Sequence, residues 1–76
     1  MSEHLPVVSG RLLVRALERI GYVAVRQRGS HIRMRHPSDP RRQPTSVVDS
    51  RELKRGLLRS ILRDASLSPE ELRELL

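Results

Sequence analysis

The hydrophobic period of this chain changes twice, and that limits what it can fold into more than any other feature. Leu12, Leu13, Ala16, Leu17 and Ile20 recur at helical spacing, and Leu53, Leu57, Leu58, Ile61, Leu62 and Ala65 do so again near the other end. Between them, from Tyr22 to Arg35, apolar and polar residues alternate one by one, as in half-buried strands. A chain reading helix, strands, helix has one economical arrangement, a small sheet whose apolar face is covered by the two helices. The expected fold is therefore α+β, a two-layer helix–strand–strand–strand–helix domain.

Local signals set the boundaries. Ser9 is placed to cap a helix over 10–20, and Gly21 to stop it in the left-handed conformation. Arg11, Arg15 and Arg19 line the opposite side of that helix as a solvated face. In YVAVRQ, Val23 and Val25 point one way, Ala24 and Arg26 the other. Arg28-Gly29-Ser30 is a tight-turn signal, and in HIRMRH the apolar Ile32 and Met34 alternate with His31, Arg33 and Arg35. Pro37 to Pro44 reads as a loop, and Thr45–Val48 as a third, weaker strand. Ser50 offers another cap. Gly56, at ~1 kcal/mol relative to Ala inside a helix, is expected to separate a short turn at 51–54 from a helix over 56–65. SPEE combines an N-cap Ser68, Pro69 at the first helical position and Glu71 at the capping-box position, which predicts a terminal helix over 69–75. The expected organisation is a loose lead-in at 1–8, the main domain at 9–67 and a short C-terminal helix at 68–76.

Charge is concentrated where the strands are. The chain carries a formal net charge of +6, and 14 of its 15 cations are Arg. Residues 22–42 hold six of them (Arg26, Arg28, Arg33, Arg35, Arg41 and Arg42) against one acid, Asp39. Guanidinium groups grip phosphate in a flat two-pronged geometry, and an excess of them in one segment is the footprint of a polyanion-binding surface. The same charge would also serve as a solubilising surface. No Cys is present, so disulfides and Cys-based zinc sites are excluded. No apolar run approaches a membrane span, no signal-peptide pattern opens the chain, and a soluble intracellular protein is expected.

His31 follows the turn and lies in line with Arg33 and Arg35. Imidazole exchanges a proton near neutral pH, and arginines around it would hold a phosphate beside it. RNA supplies the matching reaction, because its 2′-hydroxyl attacks the adjacent phosphorus once deprotonated. An exposed polar residue on a strand is the plain alternative, and residue chemistry alone leaves both open. His36, at the end of the second strand, falls on the Ile32/Met34 side and reads as structural; His4, in the lead-in, carries no signal. The basic segment has no carboxylate but Asp39, so oxygen ligands for a nuclease metal are missing, and no metal or cofactor is expected. Tyr22 is the only aromatic residue, which disfavours a base-stacking single-strand binder.

SGRLLVRALERIGYVAVRQRGSHIRMRHP followed by ELKRGLLRSILRDASLSPEEL resembles the HicA (YcfA-like) toxins of bacterial type II toxin–antitoxin systems, from about Ser9 to Leu72. The specific pieces are the helix ending in Gly-aromatic, the Arg-Gln-Arg-Gly-Ser-His turn, His36-Pro37, and Gly56 opening LLRSILRDASLS. The resemblance implies a fold like that of double-stranded-RNA-binding domains, and a ribosome-independent mRNA interferase of the bacterial or archaeal cytoplasm held inactive by a HicB antitoxin. It implies that His31, which follows Gly-Ser on the hairpin, is the catalytic residue. Arg26, Arg28, Arg33 and Arg35 are then expected to bind phosphate, and Gly29 and Ser30 to aim the turn. Three positions depart from the family pattern. Many members have a second His where Ile32 stands, often another His where Val48 and Asp49 stand, and a Thr where Leu57 follows Gly56. A non-catalytic RNA-binding module on the same face, and an interaction protein docking an acidic partner, are the alternatives.

Overall fold

The computed structural model describes residues 5–76, so His4 and the start of the lead-in lie outside the described residues. The chain runs α1 (Gly10–Arg19), β1 (Val23–Arg28), β2 (His31–Arg35), β3 (Thr45–Val48), α2 (Arg55–Ala65) and α3 (Pro69–Leu75). The strands form one antiparallel sheet in the order β1-β2-β3. One face carries Ile32, Met34, Thr45 and Val47, all buried, against Leu13, Ala16 and Leu17 of α1 and Leu58, Ile61, Leu62 and Ala65 of α2. Each Leu, Ile, Val or Met among them contributes about 1.5–3 kcal/mol when fully buried. The other face, with His31, Arg33 and Arg35, is open to solvent.

Ser9 caps α1 through its side chain, accepting from the Leu12 N–H at 3.1 Å, and Gly21 takes the positive φ of +105° that ends the helix. Gly10 is there for a different reason. A Cβ at this position would fall on the Val48 carbonyl oxygen, and the Gly10 N–H donates to the Ser50 carbonyl at 2.9 Å. The start of α1 is thus seated on the end of β3 with no room for a side chain. The α3 capping box forms as expected. Glu71 N–H donates to Ser68 Oγ at 3.0 Å, Ser68 N–H donates to Glu71 Oε1 at 2.8 Å, and Leu72 is fully buried.

Four expectations are corrected. Leu12 is half exposed rather than part of the buried stripe, because α1 turns only Leu13, Ala16 and Leu17 fully inward. The lead-in is not loose at its end: Val8 is buried, and its carbonyl accepts from the Leu53 N–H at 2.9 Å. Ser50 caps no helix; its hydroxyl donates to the Glu52 carbonyl, and α2 starts at Arg55 behind Lys54, so Gly56 lies in the first turn rather than ahead of the helix. In β1, strict alternation fails at Val25. Ala24 pairs with Met34 and Arg26 with Arg33, so one extra residue bulges out between them. Val23 therefore shares the open face with its partner Arg35, Ala24 takes the helix side, and both valines are about half exposed.

Candidate nucleic-acid interface

The bulge aligns the cationic residues. Beyond it, Arg26 faces Arg33 and Arg28 faces His31 across the hairpin, while β3 adds Ser46 opposite Arg33 and Val48 opposite His31. Residues directly opposite in an antiparallel pair project to the same side. Arg26, Arg28, His31, Arg33 and Ser46 accordingly line one open depression of about 310 Å³. Among the described residues no carboxylate borders it. Arg33 Nη1 donates to Ser46 Oγ at 3.2 Å, whereas Arg26 and Arg28 make no ion pair or side-chain hydrogen bond among the described residues. Like charges directly opposite, as at Arg26 and Arg33, oppose the pairing of the strands. An anion seated between them relieves that repulsion.

The turn that presents His31 is braced on two sides. Gly29 has a φ of +56° and open space where a side chain would be, and its carbonyl accepts from Gln27 Nε2 at 3.0 Å. The Ser30 carbonyl accepts from the Asp49 N–H at 2.6 Å, and Asp49 Oδ2 accepts from Arg11 Nη2 at 3.1 Å. The first turn of α1, already seated on β3, thereby reaches the turn before His31.

Of the seven residues singled out in the sequence, the structure places Arg26, Arg28, His31 and Arg33 in one depression, with Gly29 and Ser30 forming the turn beside it. Arg35 stands apart. It is on the same face but lines a separate depression with His36 and the 37–44 loop. Ser46, Gln27 and Asp49 are not among those seven; the parts of Ser46 and Asp49 depend on strand register and on contacts distant in sequence, for which a single strand pattern carries no signal. Ile32, one of the departures from the family pattern, is buried on the helix side, away from this face. Val48 and Leu57, two others, meet in a third depression described below.

His36 is a structural residue, as its position in the strand suggested. Its Nδ1 faces the N–H groups of Ser38 and Asp39 at 3.3 and 3.0 Å, so it accepts, and Nε2 carries the proton donated to the Ile20 carbonyl at 2.7 Å. The ring also meets Tyr22 edge-on at 5.3 Å. Tyr22 is buried, its hydroxyl donates to the Gln43 carbonyl at 2.7 Å, and burial raises its pKa above the ordinary value.

Among the described residues no helix is long and apolar enough to cross a membrane, and no three His, Asp or Glu side chains cluster as a metal site. Comparison with the curated proteins finds no match. A family model described as the HicA toxin of bacterial toxin–antitoxin systems matches residues 10–67, which takes in α1, the whole sheet and α2. Most of the chain lies inside that match and has the α+β order of a double-stranded-RNA-binding-domain-like fold, so the chain belongs to the HicA toxin family and is the toxin of a toxin–antitoxin pair.

Proposed function

We propose that this toxin is a metal-independent endoribonuclease that cleaves mRNA at the open face of its sheet, with His31 as the single catalytic residue. The observation that carries this reading is the convergence of His31 with three arginines in one solvent-open depression that no carboxylate borders. A backbone phosphate drawn among Arg26, Arg28 and Arg33 brings the neighbouring ribose within reach of the imidazole. His31 takes the proton of the 2′-hydroxyl, and the 2′-oxygen forms a bond to phosphorus. The bond from phosphorus to the 5′-oxygen breaks, leaving a 2′,3′-cyclic phosphate on one fragment. The departing 5′-oxygen takes a proton from solvent and becomes a 5′-hydroxyl on the other. The guanidiniums hold the charge that grows on the phosphorane, where fixed positive charge lowers the barrier most. Arg35, farther along the face, binds the strand rather than the reacting phosphate. A HicB-type antitoxin keeps the toxin inactive, and the cytoplasm is where both partner and substrate are met.

His31→Ala is the decisive variant. It should unfold at the parent temperature, bind RNA as the parent does, and lose about 10²- to 10⁴-fold in cleavage rate, the usual contribution of a positioned acid–base group. Parent-like cleavage by the variant would reject the mechanism. Parent cleavage should persist in EDTA, and a requirement for added magnesium would reject the metal-free reading. Cleavage that is absent from parent and variant alike, with salt-sensitive RNA binding intact, would make the protein a binding module.

A further inference from the structure

Beyond His31, at the outer edge of β3, the surface changes character. Val48 pairs with His31 and lies two residues past Ser46, so it shares their side of the sheet. There Val48, Leu53 and Leu57 wall a depression of about 330 Å³, with Ser50, Glu52 and Lys54 also lining it. Leu53 is buried, whereas Val48 and Leu57 are half-buried and pack on the edge of the core. The volume sits at the low end of the ~300–1,000 Å³ of small-ligand pockets, a size for one flat group rather than for a helix.

Charge identifies the occupant. Glu52 balances Lys54 at the depression itself, but the neighbouring surface is a cluster of arginines, so what arrives beside it is a polyanion. The polyanion that also carries flat, weakly polar groups at short, regular intervals is a nucleic-acid strand. The residues around the phosphate depression are all polar and give a base no apolar surface. Tyr22, the chain's one aromatic residue, is in the core and gives it no ring to stack on.

We propose that the depression walled by Val48, Leu53 and Leu57 seats one nucleobase of the RNA strand, on a nucleotide adjoining the phosphate held at His31. The flat face of the base lies on Val48 and Leu57, and its polar edge turns toward Ser50 and Glu52. A carboxylate only accepts hydrogen bonds, so Glu52 favours bases with an exocyclic amino group, adenine, cytosine or guanine, over uracil. The subsite thus gives the cleavage a base preference that the arginines alone cannot. The inference rests on the open face being the RNA site, but its test does not depend on cleavage.

The probe is a fluorescent 2′-O-methyl RNA, which lacks the attacking hydroxyl, with an abasic nucleotide placed at each position in turn. Anisotropy titrations with the parent protein should show one position where loss of the base weakens binding about fivefold or more, near the low end of what a stacked base contributes. Uracil at that position should bind less tightly than adenine or cytosine. Val48→Thr combined with Leu57→Thr, checked for folding by thermal melt, should level that position with the others. In the parent protein, methyl resonances of Val48 and Leu57 should shift with the intact strand and not with the strand abasic at that position. An abasic penalty equal at every position, or methyl signals indifferent to the base, would overturn the proposal. Methyl shifts produced by the antitoxin and not by RNA would overturn it as well, making the depression a protein-docking site. Failure of the His31 mechanism would leave these binding results standing, so the two readings fail separately.

Discussion

The basic segment at 22–42 divides into two regions that use the same side chain in opposite ways. On the hairpin, Arg26, Arg28 and Arg35 make no side-chain hydrogen bond or ion pair among the described residues, and Arg26 even faces Arg33. In the 36–44 loop the arginines are tied into the fold. Arg42 Nη1 donates to the Ala65 carbonyl at 2.7 Å, at the last turn of α2, and its Nε lies 3.5 Å from Asp39. Arg41 pairs with the same carboxylate through Nε at 3.3 Å, and its carbonyl accepts from Ser66 Oγ. With the Gln43 N–H on the Asp64 carbonyl and His36 pinned to Ile20, the loop is a strap joining the ends of both long helices. Net charge counted along the sequence treats all six arginines alike. The structure ties two into the loop, Arg42 to a helix end and Arg41 to Asp39, and leaves four facing outward.

Substitutions on the two sides should therefore have opposite signatures. Arg42→Ala removes a charged donor from a helix-terminal carbonyl and should cost about 1.5–3 kcal/mol of stability. For a domain of this size that is a fall of roughly 4–8 °C in Tm per kcal/mol, readable in a thermal melt. RNA affinity measured well below the melt should not change; a loss of affinity would place Arg42 on the binding side of the division. Arg26→Gln should do the reverse. Removing one of two facing like charges should raise stability by about 0.2–1 kcal/mol, while RNA affinity falls and the slope of its log–log salt dependence drops by about 0.7, the value of one single-strand phosphate contact. A destabilised Arg26→Gln protein would mean that the hairpin also depends on its arginines.

The smallest expected effect concerns acid. Hydrogen bonds from the Arg41 side chain and backbone hold the Asp39 carboxyl below its ordinary pKa. A carboxylate depressed in the folded state stabilises fully above its unfolded pKa, and that contribution is lost as pH falls through the folded value. The strap should thus loosen only below the ordinary carboxylate range. Carbon-detected NMR titration of Asp39 in the parent and in Arg41→Ala should show the variant titrating at higher pH, and coincident curves would remove the pair from the account. Because the Arg41 side chain is solvent-exposed, thermal stability near neutral pH should barely register Arg41→Ala.

Most of the fold could be read from local chemistry, because the signals that set it are local. Ser9, Gly21 and the Ser68–Glu71 box act within one turn of the residues they cap. The alternation in HIRMR needs only a neighbouring strand, and Arg28-Gly29-Ser30 needs only its own dihedrals. What escaped a sequence reading depends on distant partners. The Val25 bulge is imposed by register with β2, and VAVRQR alternates too well to betray it. Gly10 looks like an ordinary helix start until Val48 is set against it. Leu53, Val48 and Leu57 pass for core residues by type, and only their shared edge shows that they wall a depression. That Arg26, Arg28, His31 and Arg33 share one depression was legible for the same reason as the hairpin, since they are hairpin neighbours. Ser46 and the Asp49–Arg11 brace, which come from β3 and α1, were not.

The bulge at Val25 has a consequence for how the protein keeps company with itself. β1 is an outer strand, and a flat outer strand with half-exposed valines would template pairing with another copy. The kink breaks the run of hydrogen-bonding groups that such pairing needs, and the arginines that follow it would meet their own kind across the seam. The arginine-lined face is thereby also guarded against edge-to-edge pairing through β1, and it can stay bare without recruiting another copy there.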